Sequence, residues 1–477
     1  MQEGSTWRHP LEGRYASGEM LELFGEARTA GIWRRLWLAL AETQKELGLG
    51  VSDEAIAAIR KNLDTADIKR VKVIEAETRH DVVAHIRHLA EQAPAASAVI
   101  HWGATSCYVA DNASLIQMKE GLKKLLARVA AAMKALREFA LEHRSVATLG
   151  YTHMQPAQPT TVGKRAALWL YDLLIDGEEV RHLIEWLPFR SVKGATGTQA
   201  SFMQLFGGDY GKVRELEKLV AAKMGFERVA PVCGQTYSRK VDTRVLAVLG
   251  GIGESAARFG NDVRFLQHLK EVEEPFRSTQ VGSSAMPYKR NPMRSERLCG
   301  LGRYLAGLPQ QAATVATSQW LERTLDDSAP RRFYLPEAFL LADACLILLA
   351  EVSRGLVVHR QMIRRHLEEE MPFMAAEAIL TAAVAAGGDR QELHEAIRRH
   401  AQEAGDMVKG KGADNDLLER LAKDPAFAAV KDEMAEIASA ERFIGAASKQ
   451  VERFIGEDVD PFLEAAGEAA APPPPQV

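Results

Sequence analysis

The sequence predicts an all-α protein of three helical domains, with a bundle of very long helices at its centre. Three observations carry this. No proline stands between Pro94 and Pro156, between Pro231 and Pro275, or between Pro372 and Pro425. A proline costs about 3 kcal/mol in a helix interior, so these stretches permit long helices. Within them apolar residues recur every three or four positions, the period of a helix that buries one face. Alternating patterns with turn dipeptides, the mark of strands, are nearly absent.

Each element follows from these signals. The first long helix carries an apolar seam of Leu115, Met118, Leu122, Leu125, Val129, Met133, Leu136 and Ala140. Some thirty residues at 1.5 Å rise give roughly 45 Å, longer than a small domain is wide. A second runs from Val162 to Leu187 and stops at Pro188, and a third follows Val241, Val245, Val248, Ile252, Ala256, Phe259, Val263, Leu266 and Leu269. Residues 99–111 (VIHWGATSCYVAD) interrupt the period before the first long helix. The expected division is therefore an N-terminal helical domain over 1–105, a central long-helix domain over 106–358, a C-terminal helical domain over 359–463 and a disordered Pro-rich tail over 464–477.

Composition excludes several classes. Of 477 residues, 47% are hydrophobic and 26% charged, the balance of a soluble globular protein. Sixty Lys+Arg against 64 Asp+Glu leave −4, so no global field holds nucleic acid and an anionic partner needs a local positive site. Four scattered cysteines (Cys107, Cys233, Cys299, Cys345) exclude a disulfide scaffold and a cysteine-rich zinc module, and fit a reducing compartment. The start, MQEGSTWRHP, lacks a basic stretch followed by an apolar one, so no signal peptide is expected. The apolar stretch at 338–350 is broken by Asp343 and reads as too short to span a bilayer. A soluble, cytoplasmic protein with no membrane partner is expected.

Polar chemistry collects where the helical period breaks. Between Lys289 and Arg297 stand four cations (Lys289, Arg290, Arg294, Arg297) and one anion, Glu296, just after Gly282, Ser283 and Ser284. Such a segment can neutralise a multiply charged anion and close over it, or it can be a solvated loop before a basic helix start. His153, flanked by Thr152 and Gln155, can act as a general acid near neutral pH, or sit hydrogen-bonded in a structural role. Arg331 and Arg332, with Arg323 and Ser328, can bind phosphate through forked donors, or pair internally with Asp326 and Asp327. His80, His85 and His88 lack HExxH spacing and a completing carboxylate or cysteine, so no metal site is expected.

Gly282-Ser283-Ser284-x-Met286-Pro287-x-Lys289-x-Asn291 resembles the signature loop of the fumarase/aspartase superfamily. With TTVGKR, VKGATGTQASF, GQTYSRK and ERTLDDSA, the sequence SSAMPYKRNPMRSER resembles the adenylosuccinate lyases, especially their animal-type branch, from about Arg14 to Phe462. The resemblance implies an all-α homotetramer whose central helices form one large bundle, with sites shared between subunits and no cofactor. It implies elimination of fumarate from adenylosuccinate, giving AMP, and from the succinylated aminoimidazole carboxamide ribotide SAICAR, giving AICAR. By the same resemblance Ser283 is the base, supported by Lys289 and the backbone of 282–285, and His153 the acid. His80 contacts substrate and helps set the charge state of the site, beside Thr152. Lys289, Asn291, Thr105, Ser106 and Gln235 receive the substrate carboxylates. Arg14, Tyr15, Arg323, Ser328 and Arg332 hold the phosphate, with Arg79, Asp81 and Arg297 completing the pocket. Argininosuccinate lyase, a sister with the same loop, has no use for the phosphate-binding arginines. A non-enzymatic structural role, as in lens proteins derived from such lyases, is opposed by the presence of both Ser283 and His153.

Overall fold

Five helices form the middle of the molecule: Ser106–Glu142, Val162–Trp186, Lys240–His268, Met293–Gly307 and Ser328–Arg354, called here the first to fifth central helices. The computed structural model describes residues 6–277, 279–281 and 283–467. Every seam residue expected on the first central helix is buried, and the second ends at Trp186, where Pro188 blocks continuation. The third and fourth helices pack closely where two glycines meet. A Cβ on Gly253 would lie 2.6 Å from the Gly302 carbonyl oxygen, and one on Gly302 would lie 2.5 Å from that of Gly253. Any larger side chain would push the two helices apart.

The fifth helix is longer than its apolar stretch. It spans 27 residues and passes through Pro336, so by length and composition it could cross a membrane, but 83% of its most apolar window is buried in the bundle. Asp343 sits fully buried inside it, accepting from the Ser17 backbone amide at 2.9 Å and paired with Arg128 at 3.3 Å. It is a core helix, and the charge buried at its middle is matched.

The main departure from the helical expectation is a hairpin, beside a two-residue ladder that pairs Val272–Glu273 with Val357–Val358. β1 (Ala147–Thr152) and β2 (Gln155–Thr161) form an antiparallel hairpin between the first two central helices. Its sequence hides it: Pro156 and Pro159 break any strand pattern. A two-stranded ribbon has only edges, however, and an edge tolerates residues that lack an N–H donor.

Packing joins the chain's ends to the middle. One continuous core runs from Leu11 through the central helices to Met371 and takes in Val451, Ile455, Val459 and Phe462. A second, smaller core holds residues from Ala375 to Ala438. The last helix, Asp460–Ala466, extends into the segment expected as tail because Phe462 is buried over Gly177; residues 468–477 lie outside the described residues.

Candidate active site

The start of the first central helix is built around buried charge. Arg239 bonds Asp111 (3.1 Å) and Asp327 (2.6 Å), and Arg331 bonds Asp242 (2.8 Å), which also accepts from the Tyr334 hydroxyl at 2.9 Å. Burial alone would raise the Asp111 carboxyl, but Arg239, Arg331 and Arg190 outweigh it and hold it below the usual range. These pairs lock together chain segments far apart in sequence. Buried Arg190 donates to the Gln235 carbonyl at 2.8 Å, and the Gln235 amide donates to the Glu322 carbonyl at 2.9 Å. Gly197, at φ 84°, lies so near Cys233 that a Cβ would meet its carbonyl oxygen at 1.8 Å. Gln235 sits beside Cys107, whose Sγ is 3.7 Å from its Oε1 and which directly follows Thr105 and Ser106 in the chain. Arg323 joins this end through Asp327, at 2.7 Å.

Of the two adjacent arginines, the structure commits Arg331 to the buried network and leaves Arg332 at the surface. Arg332 Nη2 lies 3.5 Å from Asp81 Oδ2, and both line a cavity of about 360 Å³ together with Ser328 and His85. That volume suits a small-molecule site. Arg79 and His80 hold the junction before Asp81. Arg79 ends one helix in the left-handed region (φ 55°), and His80 caps the next, its Nδ1 accepting from the Val83 amide at 3.4 Å. Burial pushes His85 down to about 4, and it stacks edge-on against Trp33 at 4.8 Å. His88 Nε2 accepts from the Asp67 amide at 3.0 Å, so His80, His85 and His88 do three separate jobs. On the bundle's flank, Arg14 and Arg297 both lie over the Tyr15 ring, at 6.0 and 5.8 Å.

His153 stands exposed at the tip of the hairpin, just after Thr152. His153 and Met154 both have positive φ (53° and 60°), the backbone of a two-residue turn that fits the twist of its strands. Neither is glycine, so the turn holds a strained backbone at the histidine. Tyr151 anchors the hairpin edge-on against Phe265, 5.9 Å away, near the C-terminal end of the third central helix.

The loop that carries Ser283 leaves that same end. Ser283 Oγ accepts from the Ala285 and Met286 amides at 3.3 and 3.1 Å, so two backbone dipoles converge on the hydroxyl oxygen. Gly282 lies outside the described residues; the Met286 donor was not anticipated. Lys289 is exposed and its amide closes a turn onto the Met286 carbonyl at 3.0 Å, ahead of half-buried Asn291.

The candidate residues thus fall at opposite ends of one chain. Thr105, Ser106, Gln235, Arg323 and Ser328 collect at one end, His153 and Ser283 at the other. The 37-residue first central helix puts about 55 Å between Thr105 and the hairpin.

Two family models match the chain, one described as lyase over residues 27–307, the other as adenylosuccinate lyase C-terminus over residues 372–454. Curated relatives named adenylosuccinate lyase from Schistosoma mansoni and Schizosaccharomyces pombe are each 46% identical, over 97% of this chain and 97% of their own. The chain belongs to the adenylosuccinate lyase family. An archaeal adenylosuccinate lyase from Pyrococcus abyssi is 33% identical over 94% of this chain and 97% of its own. Solved structures extend the likeness of fold beyond the adenylosuccinate lyases. The 3-carboxy-cis,cis-muconate lactonizing enzyme of Pseudomonas putida superposes with a TM-score of 0.83 at 23% identity, over 95% of this chain and 99% of its own. A fumarate lyase from Mesorhizobium gives 0.78 at 23% identity, over 93% and 99%.

Proposed function

We propose that this chain breaks the C–N bond of adenylosuccinate to release fumarate and AMP, and that of SAICAR to release fumarate and AICAR, without metal or cofactor, in the cytoplasm. The observation that carries the chemistry is the pair of amides aimed at Ser283 Oγ. A serine hydroxyl is a weak base, but its alkoxide, held by the Ala285 and Met286 amides beside the Lys289 charge, can take the proton from the carbon next to a substrate carboxylate. The electron pair left behind spreads onto that carboxylate, which Lys289, Asn291, Thr105, Ser106 and Gln235 receive. As the C–N bond breaks, His153 gives a proton to the departing nitrogen. Arg332, Ser328 and Arg323, with Arg14 and Tyr15, hold the phosphate. His80 and Thr152 line the reacting end, and Arg79, Asp81 and Arg297 complete the pocket.

Because one chain keeps these residues about 55 Å apart, we propose a homotetramer in which different subunits complete each site. Leu168, Tyr171 and Ile175, exposed at 43%, 53% and 44%, lie at positions i, i+3 and i+7 of the second central helix. A stripe at that spacing suits coverage by a neighbouring subunit's helix.

The test is the ultraviolet difference spectrum on mixing purified protein with adenylosuccinate, run beside argininosuccinate. Conversion to AMP and fumarate is expected with the first and no change with the second; the reverse pattern would overturn the assignment.

A further inference from the structure

Residues 271–274 lie between the two loops that carry His153 and Ser283, and two of the four are buried carboxylates, Glu271 at 0% and Glu274 at 3% exposure. A carboxylate is buried at high cost unless its oxygens are bonded, so its bonds dictate the geometry around it. Glu271 reaches back to the hairpin. Thr148 Oγ1 on β1 donates to its Oε2 at 3.4 Å, and His366 Nδ1, from the helix Arg360–Met374, lies 2.8 Å from its Oε1. Glu274 reaches forward to the fourth central helix. Its Oε1 accepts from the Arg294 amide at 3.0 Å, and its Oε2 accepts from the Ser295 amide and hydroxyl, both at 2.8 Å. A carboxylate suits that place, since amides at a helix N-terminus lack partners in the helix and carry partial positive charge. Further bonds close the loop's neck: Gln267 accepts from the Glu274 amide at 3.2 Å and donates to the Arg290 carbonyl at 2.8 Å, and Arg294 donates to the Pro275 carbonyl at 2.7 Å.

We infer that Glu271 and Glu274 are positioning residues, Glu271 for the hairpin that carries His153 and Glu274 for the loop that carries Ser283. The kinetic part of this rests on the proposed elimination; the structural part does not. Hydrogen exchange by mass spectrometry on the full-length protein, with kcat and KM for adenylosuccinate, tests both. Glu274→Gln should speed exchange in 275–295 and leave 147–161 unchanged; Glu271→Gln should do the reverse. Each should lower kcat about tenfold to a hundredfold, because misplacing a reacting group by an ångström has that effect. KM should stay within about threefold, and Glu274→Asp should recover part of the rate. Exchange that rises equally in both segments or throughout 240–268, or an unchanged kcat, overturns the inference. If Glu274→Gln fails to fold, Ser295→Ala removes one of the three donors and carries the same test. If the unaltered protein does not turn over adenylosuccinate, the elimination reading fails, and the exchange results still decide whether the two carboxylates place the loops.

Discussion

Arg331 is 11% exposed and bonded to Asp242, whereas Arg332 is 72% exposed beside Asp81. Substitutions at these neighbours should therefore separate. Arg331→Met removes one partner of a buried ion network and should cost about 3–5 kcal/mol in chemical denaturation. Arg332→Ala should leave stability nearly intact and raise the barrier measured by kcat/KM by about 2–5 kcal/mol for both nucleotides, through their shared phosphate. Equal kinetics in Arg332→Ala and the parent would place Arg332 outside the phosphate site. Ser283→Ala should abolish turnover while calorimetric affinity for adenylosuccinate stays within an order of magnitude, since ground-state binding rests on the arginines and Lys289. Loss of binding with residual catalysis would remove Ser283 from the base role.

At the scale of elements, the second central helix carries an unmatched acid. Burial pushes the Asp176 carboxyl up to about 7; the bond to Ser255 opposes this, and Asp172 and Glu254 add to it. The unfolded chain gives up this proton near pH 4 and the folded chain near pH 7. Stability contributed by the protonated form is therefore lost as pH rises from about 4 to about 7, by about 4 kcal/mol at most, and is level above that. Asp176→Asn should flatten this part of the pH profile and stabilise the protein at pH 8 in urea unfolding; a parallel profile in parent and variant would contradict it. The first three central helices were legible because a 3.6-residue apolar period, such as that of Leu115 to Ala140, needs no partner to be seen. The hairpin was not, because Pro156 and Pro159 mask its strand pattern. Pro336 likewise concealed how far the fifth helix runs. Ser283, Lys289 and Asn291 were legible as a motif. Which of Arg331 and Arg332 stays at the surface was not, since that depends on Asp111 and Asp242, far away in sequence and near only in the fold.

For the whole molecule, we propose that the chain works as three helical domains divided near residues 105 and 358, the last extending past the expected limit at 463 to Ala466, with the final helices packed back onto the central bundle. The central claim is that no chain completes a site alone, because its candidate residues stand at both ends of a long bundle; we further propose, from the family resemblance, that the His153 and Ser283 of one site come from different chains even though they share one end of each chain. His153→Gln and Ser283→Ala should each be inactive as homotetramers. Mixed, gently dissociated and reassembled, they should regain fumarate release from about a quarter of sites, the chance that both contributing chains carry the intact residue. Activity no higher than either parent, with hybrid tetramers confirmed by native mass spectrometry, would contradict the shared site.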